Sequence, residues 1–328
     1  ALSFDGSIKI EYRGSSSSLL DKKQYAFTPY DDQGEKVNVS FLEMPKENDW
    51  ILNGLAYDPS FMRDYLSYKL SNLTGNYASR GRYCEVVLNG DFRGIYVLQE
   101  KLKADDSRID INKIKETDLS FPKLTGGYIT KADKNEGSDT PAWYMDSYGW
   151  GQVNYIHEHP KPTTVKFQQN EYIKNEFEKL EVSASQGNRS ITTGYPSVID
   201  IPSFVDFMIL NELASNADGY QFSTFFHKDR NGKLRAGPIW DFNLTFGNDL
   251  FDFGFDRSKT YLWQFEYENM GTKFWTDLFN DSVFKCYLTK RWKELIAPGM
   301  PLNSYAISNL IDTTKTLISE AVTGKIKV

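Results

Sequence analysis

Two isolated acids, Asp218 and Asp241, stand on either side of a segment with the pattern of a β-hairpin. The runs FSTFFHKD and KLRAGPIW have the character of two strands, and the link between them contains Asn231-Gly232, a typical hairpin turn pair. Two carboxylates in one cleft suit metal-dependent phosphoryl transfer, in which one acid orients the nucleophile and the other holds the metal. The alternative is that Asp218 caps a helix and Asp241 merely ends a strand.

Periodicity and turn residues predict the elements that must position these acids. Strands are predicted at 7–12, 23–28, 37–42, 82–88, 94–98 and 127–131. Helices are predicted at 60–73, 168–184, 201–215 and in several pieces from 273 onward. The connections at 45–58 and over most of 101–165 are expected to be turns and loops.

This order of elements predicts an α+β protein with two lobes. Residues 1–328 would form one domain, with a β-rich N-terminal lobe over 1–100 that contains one helix. Residues 101–328 would form a C-terminal lobe that is mostly helical and has a central hairpin. Such an arrangement places a cleft between the lobes, where small-molecule sites are often found.

Four motifs occur in order along the chain. They are Arg13-Gly14-Ser15-Ser16-Ser17 with Lys22-Lys23, the element from Asn89-Gly90 to Glu100, Asn216-Ala217-Asp218 with Pro238-Ile239-Trp240-Asp241, and the helical run DSVFKCYLTKRW at 281–292. Together they resemble the spore-coat CotH family of atypical protein kinases over nearly the whole chain. The resemblance implies a kinase that uses ATP and Mg²⁺ and phosphorylates a protein Ser, Thr or Tyr.

The resemblance also implies roles for the acids. Asp218 would accept the proton of the substrate hydroxyl, and Asp241 would hold Mg²⁺. Ser223 stands where the family has a metal-binding Asn, and Asn243 stands where a second Asp is common. Both can still bind Mg²⁺ through oxygen, but with less charge or reach.

The N-terminal motifs supply candidates for nucleotide contacts. The loop that contains Gly14, Ser15 and Ser16 could cradle phosphates, or it could be an ordinary serine-rich hairpin loop. Strand alternation puts Lys22 and Lys23 on opposite faces, so Lys23 is predicted to point inward with Tyr25 and Phe27 and is the phosphate-binding candidate. Its partner acid is Glu100 or Asp64, and the resemblance favours Glu100, in either a structural or a nucleotide-contacting role.

Composition narrows the possible partners. The net charge of −6 argues against general nucleic-acid binding, and no apolar run is long enough to cross a membrane. Cys84 and Cys286 are expected to be buried free thiols, while His157 and His159 are expected to lie in a surface loop and not to form a ligand set. The start at Ala1 suggests a mature or trimmed chain, and the resemblance suggests a bacterial surface, spore or secreted setting.

Three functions follow from these patterns. The first is an active protein kinase, and the second is a degenerate family member that acts as a binding or assembly protein, which Ser223 and Asn243 favour. The third is a carbohydrate-active or carbohydrate-binding protein. For that class, acid pairs such as Glu212 with Asp218 and the 15% aromatic content are compatible with glycoside chemistry or sugar stacking.

Overall fold

The structure is a computed structural model that describes residues 4–14, 16–135, 139–248, 259, 261–267 and 270–323, without the side chains of Ser16 and Tyr267. The described residues group into two compact units. The first comprises 4–69, 79–102 and 304–323, and the second comprises 70–78 and the described part of 103–303. Each unit contains one antiparallel sheet and helices, so the predicted α+β class is confirmed.

The sheet of the first unit has the strand order β1-β2-β3-β5-β4. Its strands are β1 Ser7–Arg13, β2 Gln24–Tyr30, β3 Trp50–Asn53, β4 Gly81–Leu88 and β5 Asp91–Glu100. Asn89 and Gly90 both have positive φ, 54° and 85°, as a two-residue turn that matches the strand twist requires. The predicted hairpin between β4 and β5 is therefore confirmed.

One strand prediction in the first unit is wrong. Val39 makes only a single bridge to Glu47, so the strand predicted at 37–42 does not form. Instead β3 forms inside the stretch predicted as turns and lies in the middle of the sheet, between β2 and β5. The cause is tertiary, because Trp50 is fully buried in this central position.

The described residues form eight α-helices. They are α1 Arg63–Leu73, α2 Phe167–Ser185, α3 Tyr195–Val198, α4 Ile201–Ala214, α5 Gln264–Tyr267, α6 Phe274–Asn280, α7 Ser282–Ile296 and α8 Ser304–Val322. None of these helices combines the length and apolar character needed to cross a membrane.

Helix α8 groups with the first unit, although its position in the sequence predicts a place in the C-terminal lobe. Its Ala321 is buried in an apolar cluster with Tyr83 of β4 and Val97 of β5, and Leu317 and Ile318 pack against the same cluster. An amphipathic helix must bury its apolar stripe, and here the sheet of the first unit provides the surface.

The sheet of the second unit has the strand order β10-β9-β6-β8-β7. Its strands are β6 Tyr128–Ala132, β7 Trp143–Asp146, β8 Gln152–His159, β9 Thr224–Lys228 and β10 Arg235–Ala236. The predicted hairpin around residues 229–232 is confirmed, because β9 and β10 pair antiparallel with His227 opposite Arg235.

Two strands of this sheet, β7 and β8, lie in the region predicted as loops. His157 is a residue of β8 and is 2% exposed, so its expected place in a surface loop is wrong. The polar sequence of β8 conceals this burial, which comes from packing against Trp143 and from the hydrogen bond between His157 Nε2 and Asn170 Oδ1 (2.9 Å).

Both cysteines are free thiols as predicted, but Cys286 is exposed and Cys84 only half-buried.

Helix α4 is the central helix of the second unit and positions the first candidate acid. Its apolar sequence is buried along most of its length, and Phe204 and Phe207 both pack against Trp275, with ring centroids 5.2 and 5.3 Å away. Asp200 caps its first turn by accepting a hydrogen bond from the Ser203 amide (3.0 Å). The helix ends at Ser215, which adopts the left-handed conformation common at helix C-termini.

Candidate functional site

The turn that follows α4 is held by two buried asparagines. Asn211 Nδ2 donates to the Phe207 carbonyl (2.9 Å), and Asn211 Oδ1 accepts from Asn216 Nδ2 (2.9 Å). Asn216 Oδ1 in turn accepts from the backbone amide of Asp218 (3.2 Å). This chain of bonds fixes the backbone of Asp218 relative to the end of the helix, which explains why an asparagine occupies position 216.

The segment after Asp241 lies directly against this turn. The amide of Ala217 donates to the Leu244 carbonyl (3.2 Å), and the amide of Phe246 donates to the Ala214 carbonyl (2.6 Å). These two bonds join the chain on both sides of the α4 terminus to the stretch that begins at Asp241. The structure thus brings together the backbone segments of the two acids that the sequence places 23 positions apart.

The backbone around these acids is strained. Five non-glycine residues near the site have φ in the left-handed region, between 48° and 71°, namely Ser215, Tyr220, Ser223, Asp241 and Phe246. Such conformations each cost on the order of 1–3 kcal/mol and persist only where surrounding contacts enforce them. Their concentration here is typical of a functional site, and it includes two of the predicted metal-binding residues.

Asn243 offers an oxygen that could accept a ligand. Its side-chain Oδ1 is buried and has no hydrogen-bond partner within the described parts of the chain, while its backbone carbonyl accepts from Asn248 Nδ2 (2.8 Å). A buried acceptor without a donor is costly, and a bound cation would satisfy it. Asn243 therefore fits the predicted role of a Mg²⁺ ligand. For Asn243, Asp241 and Ser223 alike, this role stays a prediction.

The donor set around this position would be weakly charged. Across the described ranges, no group of three or more His, Cys, Asp or Glu side chains is arranged to hold a metal ion. A magnesium site here would thus depend on neutral oxygens, such as those of Ser223 and Asn243, together with Asp241.

Glu212 is a further acid beside the site, and its side chain is engaged in structural contacts. Its carboxylate accepts from Tyr220 Oη (2.7 Å) and from the backbone amides of Gln264 (2.7 Å) and Phe265 (3.3 Å). Burial raises the pKa of Glu212 to about 7, although these hydrogen bonds act in the opposite direction. Its contacts fasten α4 to the first turn of α5.

In the first unit, the loop after β1 requires a glycine. Gly14 has φ of 95°, and a Cβ at this position would lie 2.0 Å from Ser17 Oγ. A 3₁₀ helix, Ser16–Leu19, follows directly. Ser15 lies outside the described residues. The compact loop is compatible with either of its two interpretations, a phosphate cradle or an ordinary serine-rich turn.

The two lysines after this loop occupy different surroundings. Lys23 Nζ donates to the Ser18 carbonyl (2.8 Å) and so braces the loop. Lys22 Nζ donates to the Ile95 carbonyl (2.6 Å) and lies over the ring of Tyr96, 5.0 Å from its centroid, and burial lowers the pKa of Lys22. Both lysines precede β2, so strand alternation does not determine their directions, and Lys22 is a candidate that the sequence did not single out.

Glu100, at the end of β5, is fully buried and held by Arg80. Arg80 Nη2 donates to Oε1 (2.7 Å) and Nε to Oε2 (2.9 Å), and the Arg80 amide also donates to Oε2 (3.1 Å). This bidentate pair gives Glu100 a structural function, while its predicted contact with nucleotide stays a prediction. The alternative acid, Asp64, accepts from Asn53 Nδ2 (3.0 Å) and Tyr68 Oη (3.3 Å).

Comparison with protein families decides the affiliation of this chain. The family model described as CotH kinase protein matches residues 10–328. The chain belongs to the CotH kinase family. The predicted resemblance is therefore confirmed, and membership of a kinase family indicates nucleotide and metal use in general terms.

No curated protein matches the chain. Two chains of solved structures show similarity, and one of them belongs to a complex of the toxin–antitoxin system HipA, HipB and its operator DNA from Shewanella oneidensis MR-1. It is 10% identical, with a TM-score of 0.29, and the match covers 93% of the CotH-family chain and 66% of the other. A TM-score this low supports no argument about a shared fold.

Some residues that shape the site were not singled out by sequence. Asn211 is a polar residue inside an apolar helix, and this contrast is a signal that could have identified it. Arg80 gave no such signal, because nothing in the sequence relates an arginine before β4 to a glutamate 20 residues later. Lys22 could not be separated from Lys23 without coordinates.

Proposed function

We propose that this protein transfers the γ-phosphoryl group of ATP to a hydroxyl group of a protein acceptor in a Mg²⁺-dependent reaction. The observation that carries the proposal is the pair of backbone hydrogen bonds joining the Asp218 turn to the segment after Asp241. In this family the two acids have complementary roles, and their backbone segments are adjacent here. The acceptor oxygen forms a bond to the γ-phosphorus, the bond to the bridging oxygen of ADP breaks, and the hydroxyl proton leaves.

Asp218 is proposed to take that proton. General-base catalysis needs a carboxylate whose position is set before the acceptor arrives. Asn216 provides this positioning, because it accepts from the Asp218 amide and is itself held by Asn211. Asn216 acts through Asp218, and we regard it as a positioning residue.

Asp241, Asn243 and Ser223 are proposed to hold Mg²⁺, since the buried Oδ1 of Asn243 is an acceptor suited to it. When bound, the ion would neutralise negative charge on the phosphates. In the first unit we propose that the Gly14–Ser16 loop and Lys23 contact the nucleotide phosphates. Glu100 would support that region through its pair with Arg80.

Calorimetry with ATP and Mg²⁺ tests the binding half of the proposal, and phosphoprotein mass spectrometry tests the transfer. We expect Asp241→Ala to lose Mg²⁺-dependent nucleotide binding. Asp218→Asn should keep binding but lose transfer, by roughly a hundredfold or more. Failure of the wild-type protein to bind ATP would contradict the whole proposal.

The second candidate is a degenerate family member that binds partners without catalysis. The uncharged Ser223 and Asn243 favour it, because fewer carboxylates weaken a magnesium site. It predicts ATP binding without transfer, or no binding at all. Asn243→Asp separates the degenerate protein from the active kinase. The added carboxylate should strengthen Mg²⁺ binding if Asp241, Asn243 and Ser223 form the proposed site.

A bacterial surface, spore or secreted setting is part of the proposal. Immunodetection in fractionated cells and spores tests it, and a protein found only in the cytosolic fraction would contradict it.

A further inference from the structure

The second unit has an open groove that takes no part in the proposed phosphoryl transfer. Its volume is about 750 Å³, and its lining includes residues 74–76, the first turns of α4 and one face of α7. Two apolar side chains at the groove, Ile191 and Tyr287, are 82% and 51% exposed. Apolar side chains that face solvent beside a groove are available to receive those of an extended peptide.

Each acid of the groove lies beside an arginine. Arg235 Nη1 lies 3.0 Å from Asp200 Oδ1, and Arg291 Nε lies 2.8 Å from Asp206 Oδ1. The third acid, Glu294, lies 3.8 Å from Arg291 Nη1. Two arginines therefore pair with three acids, which leaves one negative charge among these ion pairs.

Two lysines remain as the source of positive charge. Lys290 is exposed on α7 and contacts no acceptor among the residues that the structure describes. Lys233 Nζ donates to the carbonyl of Pro196 (2.6 Å), which does not cancel its charge. The groove lining thus has four basic and three acidic side chains, a surplus of one positive charge on a chain whose net charge is −6, so it complements an acidic partner.

A smaller cavity of about 160 Å³ adjoins the groove and shares Gly75, Asn76 and Arg235 with it. Arg108 also lines this cavity, against one acid, Asp110. His227 adds no charge, because burial lowers its pKa to about 4. The cavity is large enough for a carboxylate side chain and is continuous with the groove at these shared residues.

The wall between groove and cavity is fixed before any ligand arrives. Arg291 Nη2 donates to the Thr74 carbonyl (2.9 Å) and to Asp206 Oδ2 (3.1 Å), and Asn76 Nδ2 donates to the same carboxylate oxygen (2.7 Å). These bonds connect α7, α4 and the turn at 74–76. A groove with such a rigid wall loses little entropy on binding.

We propose that this groove binds an extended acidic segment of a partner protein, one that alternates carboxylate and apolar side chains. The apolar residues would contact Ile191 and Tyr287, and the carboxylates would pair with Lys233 and Lys290. Nucleic acid fits less well, because the positive surplus is small and the whole chain is acidic. The groove would bind its partner without ATP, so the inference does not depend on the proposed catalysis.

Fluorescence anisotropy with a labelled peptide tests the proposal. The probe has about twelve residues that alternate glutamate with valine or leucine, roughly 40 Å when extended. We expect binding that weakens with added salt, and about tenfold weaker binding by the double variant Lys233→Glu/Lys290→Glu. The matched control is Lys293→Glu, an exposed residue of α7 outside the groove lining, which should change affinity less than twofold.

The comparison probes decide the outcome. A peptide with lysine in place of glutamate should not bind, and single-stranded DNA of equal charge should bind more weakly than the acidic peptide. Equal losses in the double variant and in Lys293→Glu would overturn the proposal, as would equal affinity for DNA. Circular dichroism and ATP calorimetry on each variant check the fold and nucleotide binding, so a failure of docking is distinguished from a failure of folding or of the proposed ATP site.

Discussion

The pair between Arg80 and Glu100 allows a prediction about the stability of the first unit. Glu100 is 0% exposed and accepts two hydrogen bonds from the guanidinium, whereas the Arg80 side chain is 31% exposed. Arg80→Ala removes both side-chain bonds and leaves the carboxylate buried without its counter-charge. Truncation of one partner of a buried pair costs about 3–5 kcal/mol, since the remaining charge stays desolvated.

We expect the lower end of this range, about 3 kcal/mol, because the exposed part of Arg80 is already hydrated in the native state. Native-state hydrogen exchange with mass spectrometry is the suitable assay, since it reports on β4 and β5 separately from the second unit. A loss of about 3 kcal/mol would make exchange in these strands roughly a hundredfold faster.

The same hairpin provides a matched control. Arg93 also pairs with an acid, Asp91, but at 3.3 Å and with 46% and 75% of the two side chains exposed. Arg93→Ala should therefore cost about 0.5 kcal/mol or less. Exchange in Arg80→Ala within twofold of wild type, or equal to that of Arg93→Ala, would refute the reasoning. A Glu100→Gln variant that loses ATP binding with unchanged exchange would instead establish a direct nucleotide contact.

Three further predictions concern the second unit. Asn216→Ala should lower the proposed transfer rate about tenfold or more while ATP affinity changes little, because the Asp218 backbone loses its support from Asn216. Arg291→Ala should destabilise the protein by about 3 kcal/mol in urea unfolding, because Asp206 keeps its burial but loses its counter-charge. The folded-state pKa of Glu212 is raised to about 7, so the contribution of Glu212 to the free energy of unfolding decreases as pH rises from about 4.5 to about 7. Glu212→Gln should remove this pH dependence in urea titrations.

Each of these predictions has a contradicting result. A proportional loss of ATP affinity in Asn216→Ala would indicate general disruption in place of misplaced chemistry. Arg291→Lys should recover only part of the stability, since lysine cannot form the bidentate bonds, and full recovery would contradict the bidentate explanation. An unchanged pH profile in Glu212→Gln would show that another group titrates.

Much of the fold could be predicted from local patterns. The Asn-Gly hairpins and the helix at α4 form as expected, because turn chemistry and apolar periodicity act over a few residues. The strands β3, β7 and β8 could not be predicted, since their sequences become strand-like only when neighbours bury them. The sequence placed α8 in the C-terminal lobe, whereas it groups with the first unit, because its apolar stripe could cover either sheet.

The candidate site divides in the same way. Residue types and order were sufficient to name Asp218, Asp241 and the family, since those motifs are read directly along the chain. They could not show that Glu100 pairs with Arg80, or that Lys22 lies over the ring of Tyr96. Contacts of that kind depend on where distant segments pack.

The sequence by itself determined the family, the α+β class and the two acids that would carry the chemistry. The tertiary structure alone decided that the segment after Asp241 hydrogen-bonds to the turn of Asp218, and that Asn243 keeps a buried oxygen without a donor in the described residues. The physical reason is that motifs are local in the chain, whereas burial, strain and unsatisfied polar atoms arise only when segments distant in sequence pack against one another.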